Sequence, residues 1–350
     1  MKIHQKYMLR CIEIAQNGLG STAPNPMVGA VIVNNGIIIG EGFTSPYGGP
    51  HAEVNAIQSV LDTSLLKEAT LYVTLEPCSH FGKTPPCADL IIKHKIQSVV
   101  IGILDPHDKV AGKGIQKLKD AGCNVTTGVL EQECRKHHKR FLTFHKKKRP
   151  YIILKWAETL DGFIAPEKEK RNDKLQPYWI TSPNSLQMVH QWRAEEQTIL
   201  VGTNTVLEDN PKLDVRHWEG ESPSRIVLDR NLKIRGDYHV LDGSIPTVIL
   251  TEVTDTSKHL EGITYKLIDF KKDIGLQIAT TLWEENFNSV LIEGGSKTLQ
   301  TFIDAGLWDE ARVFTGNTNF KKGIKAPEFS GKLISSRKIE RDHLKIYRND

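Results

Sequence analysis

Apolar positions along the chain change period several times, and each change marks an element. Over residues 4–17, Tyr7, Met8, Cys11, Ile12 and Ala15 share one helical face, and Gly18 stands as a stop. Two apolar runs, Val28–Val33 and Ile37–Gly42, flank Asn34-Asn35-Gly36. Asn-Gly supplies the positive φ angles of a tight hairpin turn. His51 opens a helix running to about Leu61. Strands are predicted at Thr70–Leu75, Gln97–Leu104 and Asn124–Thr127, alternating with helices from Cys87 through Ile92 and over Gly114–Ala121. That alternation predicts a sheet with helices on both faces. Glu131–His145 reads as a closing helix with Cys134, His138, Phe141 and Leu142 at helical spacing. Its His137-His138 pair reads as part of a solvated basic face, since no acidic or thiol partner stands nearby in the sequence.

The run Lys146-Lys147-Lys148-Arg149-Pro150 interrupts this pattern. A charge run ending in proline neither buries itself nor continues a helix, so it reads as a solvated linker. The domains are accordingly placed at 1–146 and 147–350. The second begins with a strand, Tyr151–Ala157, and a turn, Leu160-Asp161-Gly162. Pro166–Pro177 is polar and reads as an exposed loop. Trp179-Ile180-Thr181-Ser182 leads into a helix with Ser182 as its cap and Pro183 at its first position. Strands follow at Thr198–Gly202, Arg225–Asp229, Thr247–Thr251 and Ser289–Glu293. A glycine turn, Gly294-Gly295-Ser296-Lys297-Thr298, precedes a helix over Leu299–Ala305. Glu310–Thr315 and His343–Tyr347 are expected as late edge strands.

Composition narrows the function classes. A chain of 350 residues suggests two domains, and 39% apolar content is ordinary for globular ones. No run of about 18 apolar residues exists, so no membrane span is expected. The N-terminus leads into an amphipathic helix rather than a secretory core, which gives a cytoplasmic location as the expectation. A net charge of +4 suits a phosphorylated small molecule and gives little reason to expect nucleic acid. Of five cysteines, Cys11, Cys123 and Cys134 read as buried thiols.

The other two carry chemistry. His51, Cys78 and Cys87 offer an imidazole and two thiolates, a donor set that suits one zinc ion per chain. Three protein ligands leave one tetrahedral position for a water that ionises near neutral pH. Glu53, two residues after His51, is placed to shuttle protons. His-x-Glu followed by Pro-Cys is the pattern of zinc nucleobase deaminases. The second cysteine comes late here, after the loop Cys78-Ser-His-Phe-Gly-Lys-Thr-Pro-Pro-Cys87, and His80 within it could compete as a ligand. In the second half, backbone NH groups at the Gly294-Gly295 turn can hold a phosphate. The turn is not a Gly-x-Gly-x-x-Gly fingerprint, so a Rossmann domain is not supported.

The longer stretch Thr74–Cys87, together with Pro24-Asn25-Pro26-Met27-Val28-Gly29 and His51–Ala56, resembles the deaminase half of the bifunctional riboflavin-biosynthesis deaminase–reductases. The resemblance continues through Lys155-Trp156-Ala157, Leu160-Asp161-Gly162, Trp179–Ser182, Arg193-Ala194, Val201–Pro211, Leu213, Val215-Arg216 and Glu293-Gly294-Gly295. It therefore spans nearly the whole chain. It implies an α/β protein of two domains: an N-terminal cytidine-deaminase-like three-layer α/β/α domain and a C-terminal dihydrofolate-reductase-like α/β domain that uses NADPH. Glu53 is then the catalytic proton carrier and Asn25 a substrate contact. Ala157, Trp179, Thr205, Asp209 and Gly295 would contact NADPH, while Arg193, Leu213, Arg216 and Glu293 would contact substrate. Pro177 stands near where the family often has a small polar residue. The expected substrate is a small phosphorylated pyrimidine, with no nucleic-acid or membrane partner and a homo-oligomeric state. Two other classes stay open on residues alone: a nucleic-acid base deaminase with a binding module, and a zinc-stapled binding protein without activity.

Overall fold

The computed structural model describes residues 2–81, 85–106, 111–167, 178–254 and 260–349. It divides into two compact units, Met1–Lys148 and Arg149–Asp350.

In the first unit, α1 (Lys2–Ala15) buries Tyr7, Met8, Cys11, Ile14 and Ala15. The expected hairpin forms from β1 (Gly29–Asn34) and β2 (Ile37–Phe43), with Asn35 and Gly36 both at positive φ. Then follow α2 (Ala52–Gln58), β3 (Thr70–Leu75), α3 (Cys87–Lys93), β4 (Ser98–Ile103), α4 (Lys113–Asp120) and β5 (Asn124–Thr127). The sheet order is β2-β1-β3-β4-β5. β1 lies antiparallel to β3, whereas β3, β4 and β5 run parallel. Strands buried on both faces, such as β4 from Val99 to Ile103, need helices on each side of the sheet, as parallel strands generally do.

The closing helix is two helices, α5 (Glu131–His137) and α6 (Lys139–Lys147), broken at His138. The expectation of a solvated His137-His138 face is corrected here. His138 is 2% exposed and hydrogen-bonds the Thr74 hydroxyl at 3.0 Å, while His137 Nε2 donates to the Met27 carbonyl at 2.6 Å. Buried polar groups on β3 and before β1 require partners, and these rings supply them. The linker expectation also changes: Lys146–Lys148 are exposed, but Arg149 is buried in a two-pronged ion pair with Asp309 of the second unit.

The second unit runs β6 (Tyr151–Thr159), β7 (Phe163–Pro166), α7 (Pro183–Glu195), β8 (Thr198–Gly202), α8 (Thr203–Asp209), β9 (Ser224–Leu228), β10 (Thr247–Thr251), β11 (Ile263–Leu267), α9 (Ile274–Glu284), β12 (Ser289–Ile292), α10 (Ser296–Asp304), β13 (Glu310–Gly316), β14 (Gly323–Lys325), β15 (Lys332–Ile339) and β16 (Asp342–Arg348). Nine strands form one sheet in the order β11-β10-β9-β8-β12-β6-β13-β16-β15. Thus Glu310–Gly316 and Asp342–Arg348 are interior strands, not edges. The edge on that side is β15, which is exposed along most of its length. Ser182 does precede α7, but its hydroxyl donates to Asp342 rather than capping the helix. The sequence expectations for Pro177 and most of the 166–177 loop fall outside the described residues.

Candidate active sites

The metal-type cradle rests on one tight packing contact. A Cβ on Gly42 of β2 would come within 2.3 Å of the Ala56 nitrogen and 2.6 Å of the Ala52 oxygen. Only glycine lets α2 lie this close to the sheet. That seats His51 at the N-cap of α2 and Glu53 inside its first turn. Opposite them, β3 ends at Leu75 and the chain enters Glu76-Pro77-Cys78. The buried Glu76 carboxylate accepts four backbone NH groups, from Asp105, Gly112, Gly114 and Ile115, at 3.0–3.2 Å. It ties the Cys78 segment to the start of α4. Cys87 begins α3 and donates its NH to Cys78 Sγ at 3.3 Å.

These constraints bring His51, Cys78 and Cys87 together, with donor atoms all within 4.8 Å. His51 Nδ1 is 3.7 Å from Cys78 Sγ and 3.4 Å from Cys87 Sγ. An imidazole–thiolate edge of a tetrahedral zinc site is about 3.6 Å, so the donor set fits zinc in both type and spacing. The thiol of Cys87 and the imidazole of His51 hold the Cys78 thiol far below its ordinary value, at about 4. A second thiol beside that thiolate is pushed the other way, so Cys87 rises. Such a pair is primed to exchange its proton for a cation. Burial raises the Glu53 carboxyl to about 7, with the Cys78 charge adding to the rise. Glu53 stands outside the three-donor cluster and lines the adjoining cavity of about 330 Å³, together with Asn25 and His51. His80 is exposed in the wall of that cavity and is not one of the clustered donors. Thr44, Tyr47, Glu76, Asp105, Phe141 and His145 also line it and were not singled out from sequence.

The second unit holds two cavities with a shared wall. One is lined by Ala157, Thr205, Asp209 and Gly295. The other is lined by Trp179, Arg193, Leu213 and Arg216. Lys155, Ala157, Tyr178, Thr205, Asp209 and Glu293 face both. Trp179, expected beside the cofactor, lines the second cavity together with Ala157, Thr205 and Asp209 as well as the candidate substrate residues. The glycine turn is forced: a Cβ on Gly294 would meet the Val201 backbone at 2.6 Å. Gly295 donates its NH to Thr205 Oγ1 at 2.9 Å. Arg193 grips Glu293 with two nitrogens at 2.9 and 2.8 Å, and Lys155 Nζ lies 3.6 Å away. Burial alone would raise Glu293. The charges of Arg193 and Lys155 outweigh it and hold the carboxylate at about 2. Lys155 was legible as a lone charge within an apolar strand, yet only as a motif and not as a site residue.

Together these features define a metal-dependent deaminase joined to a second α/β domain with a divided cleft. Comparisons with known proteins divide the chain in the same way. Residues 1–103 match the cytidine and deoxycytidylate deaminase zinc-binding region, and residues 150–318 match the RibD C-terminal domain. Riboflavin biosynthesis protein RibD of Aquifex aeolicus is 40% identical over 92% of this chain and 89% of its own. That of Bacillus amyloliquefaciens is 42% identical over 89% and 84%. A crystal structure from Thermotoga maritima, described as a diaminohydroxyphosphoribosylaminopyrimidine deaminase/5-amino-6-(5-phosphoribosylamino)uracil reductase, superposes with a TM-score of 0.88, 38% identity and 99% coverage of both chains. Acinetobacter baumannii RibD superposes at 0.89 with 33% identity, again covering 99% of both. The chain belongs to the RibD family of riboflavin biosynthesis proteins. Its architecture is the expected two-domain α/β one: a cytidine-deaminase-like unit followed by the RibD C-terminal domain.

Proposed function

We propose that the chain catalyses two successive steps of riboflavin biosynthesis, with the deaminase in residues 1–146 and the reductase in 147–350. The first step is hydrolytic deamination of 2,5-diamino-6-ribosylamino-4(3H)-pyrimidinone 5′-phosphate. The second reduces the ribosyl chain of the product to give 5-amino-6-ribitylamino-uracil 5′-phosphate.

The observation that carries the first step is the convergence of His51, Cys78 and Cys87 beside the buried Glu53. A zinc ion held there supplies Lewis acidity that makes water acidic near neutral pH. Glu53 takes a proton from the attacking water. It passes that proton to the ring nitrogen, then carries a second proton, from the hydroxyl just added to the ring carbon, to the amine that leaves as ammonia. A buried carboxyl beside the cradle can serve both directions of transfer. Asn25, in the cavity wall, orients the pyrimidine.

For the second step, NADPH supplies the hydride. Ala157, Thr205, Asp209 and Gly295 would hold the cofactor, with Trp179 contributing from the adjoining cavity. Arg193, Leu213, Arg216 and Glu293 hold the substrate. An arginine fork suits a phosphate or polarised oxygen, and the Glu293 pair keeps Arg193 in place for it. Among the described residues no helix is long and apolar enough to cross a membrane. The proposal includes a cytoplasmic location and a homo-oligomer.

The test is one assay on the diaminopyrimidine phosphate that follows ammonia and NADPH separately. Ammonia should appear without NADPH, and NADPH should be consumed only once deaminated product is present. NADPH consumption with no ammonia released would refute the order of the two steps.

A further inference from the structure

Residues 104–149 lie between the two family matches, which cover 1–103 and 150–318. This stretch nevertheless builds part of the N-terminal cavity. Phe141 and His145 of α6 line it, their rings meeting edge-on at 4.4 Å. One turn earlier, His137 Nε2 reaches the Met27 carbonyl at 2.6 Å. A carbonyl only accepts, so that nitrogen carries a proton. Asn25, Pro26 and Val28, on either side of Met27, all line the cavity. Among the described residues the segment is otherwise anchored by the Asn25 NH on the Thr22 carbonyl, the Val28 NH on the Pro26 carbonyl, and hydrogen bonds that Val28 exchanges with Thr44. His138 backs the same wall. Its ring stands 4.7 Å from that of His137 and hydrogen-bonds Thr74, whose hydroxyl accepts the Gly29 NH at 3.2 Å. Burial lowers the pKa of both imidazoles, which favours the neutral rings that a dry wall requires.

We propose that His137 is a positioning residue for the deamination: its ring NH fixes the Met27 carbonyl and so sets the Asn25–Val28 wall against which the pyrimidine binds. The inference rests on the deaminase reading. His137 is not one of the clustered donors and does not line the cavity itself; it acts through Met27.

The decisive pair of variants in the full chain is His137→Phe and His137→Gln. Phenylalanine keeps the ring and removes the donor; glutamine keeps a donor of similar reach. For ammonia release, His137→Phe should raise KM by roughly tenfold with kcat unchanged, the scale of one lost hydrogen bond. His137→Gln should restore most of the wild-type KM. Zinc content and NADPH consumption on deaminated substrate should match wild type in both. A filler of space would be replaced well by phenylalanine and poorly by glutamine, so the reverse ranking overturns the proposal. An unchanged KM in His137→Phe also overturns it, as does loss of zinc from that variant. Amide exchange at Asn25, Met27 and Val28 gives a readout independent of turnover, and should be faster with Phe than with Gln. If the wild-type chain held zinc but released no ammonia, the deaminase reading would fail, and equal exchange in the two variants would separately refute the role of His137.

Discussion

Replacing Glu293 by glutamine tests the electrostatic logic of the C-terminal unit. The side chain keeps its size but loses its charge, leaving Arg193 and Lys155 buried without their counter-ion. Glu293 is held at about 2 against an ordinary value of 4.5. A depression of that size corresponds to about 3 kcal/mol of folding stability. Removing one partner of a buried pair costs a similar amount, roughly 3–5 kcal/mol. In a domain of this size, that lowers the melting temperature by roughly 6–12 °C. The sign follows from the direction of the shift. A depressed carboxylate stabilises the fold fully above its unfolded value, and the contribution fades as pH falls from 4.5 toward about 2. Glutamine mimics the protonated acid, so wild type and Glu293→Gln should converge on acidification. At about pH 3 less than half of the neutral-pH difference should remain. All six tryptophans lie between Trp156 and Trp308, so intrinsic fluorescence melts report this unit alone. Equal melting temperatures at pH 7, or a gap that does not narrow by pH 3, would refute the reasoning.

Other outcomes follow from the N-terminal unit. Glu53→Gln should retain zinc, measured by metal analysis, and slow ammonia release by roughly 10²–10⁴-fold, with NADPH consumption on deaminated substrate unaffected. Stripping metal with a chelator should abolish ammonia release and leave that same NADPH reaction intact; readdition of zinc should restore it. Gly42→Ala should push α2 off the sheet, because the new methyl meets backbone rather than a movable side chain. Reduced zinc content and lower deaminase activity, with an unchanged tryptophan melt, would be its signature.

Much of this was readable in advance where local chemistry is decisive. The Asn35-Gly36 hairpin formed as written because two positive-φ residues fix its register. The donor triad was legible because His51 and Cys87 stand at helix starts and Cys78 follows the end of β3, places that a sequence pattern marks. What failed had no local signature. His137 and His138 carry polar side chains on a basic helix, and only the distant Met27 and Thr74 turn them inward. Arg149 sits in a lysine run, but Asp309, far along the chain, buries it. The strand Lys332–Ile339 is exposed on most positions and so shows no two-residue period, which concealed the sheet edge and made interior strands look peripheral. The wall residues Thr44, Tyr47 and Asp105 converge by topology, with no motif to join them.

The partition between the two C-terminal cavities has a thermodynamic corollary. Lys155, Thr205, Asp209 and Glu293 each present a surface to either chamber, so an occupant of one cannot shift them without altering the affinity of the other. Linkage makes that influence equal in both directions. Nucleotide and sugar phosphate should thus titrate as a coupled pair, each changing the other's dissociation constant by a single common factor.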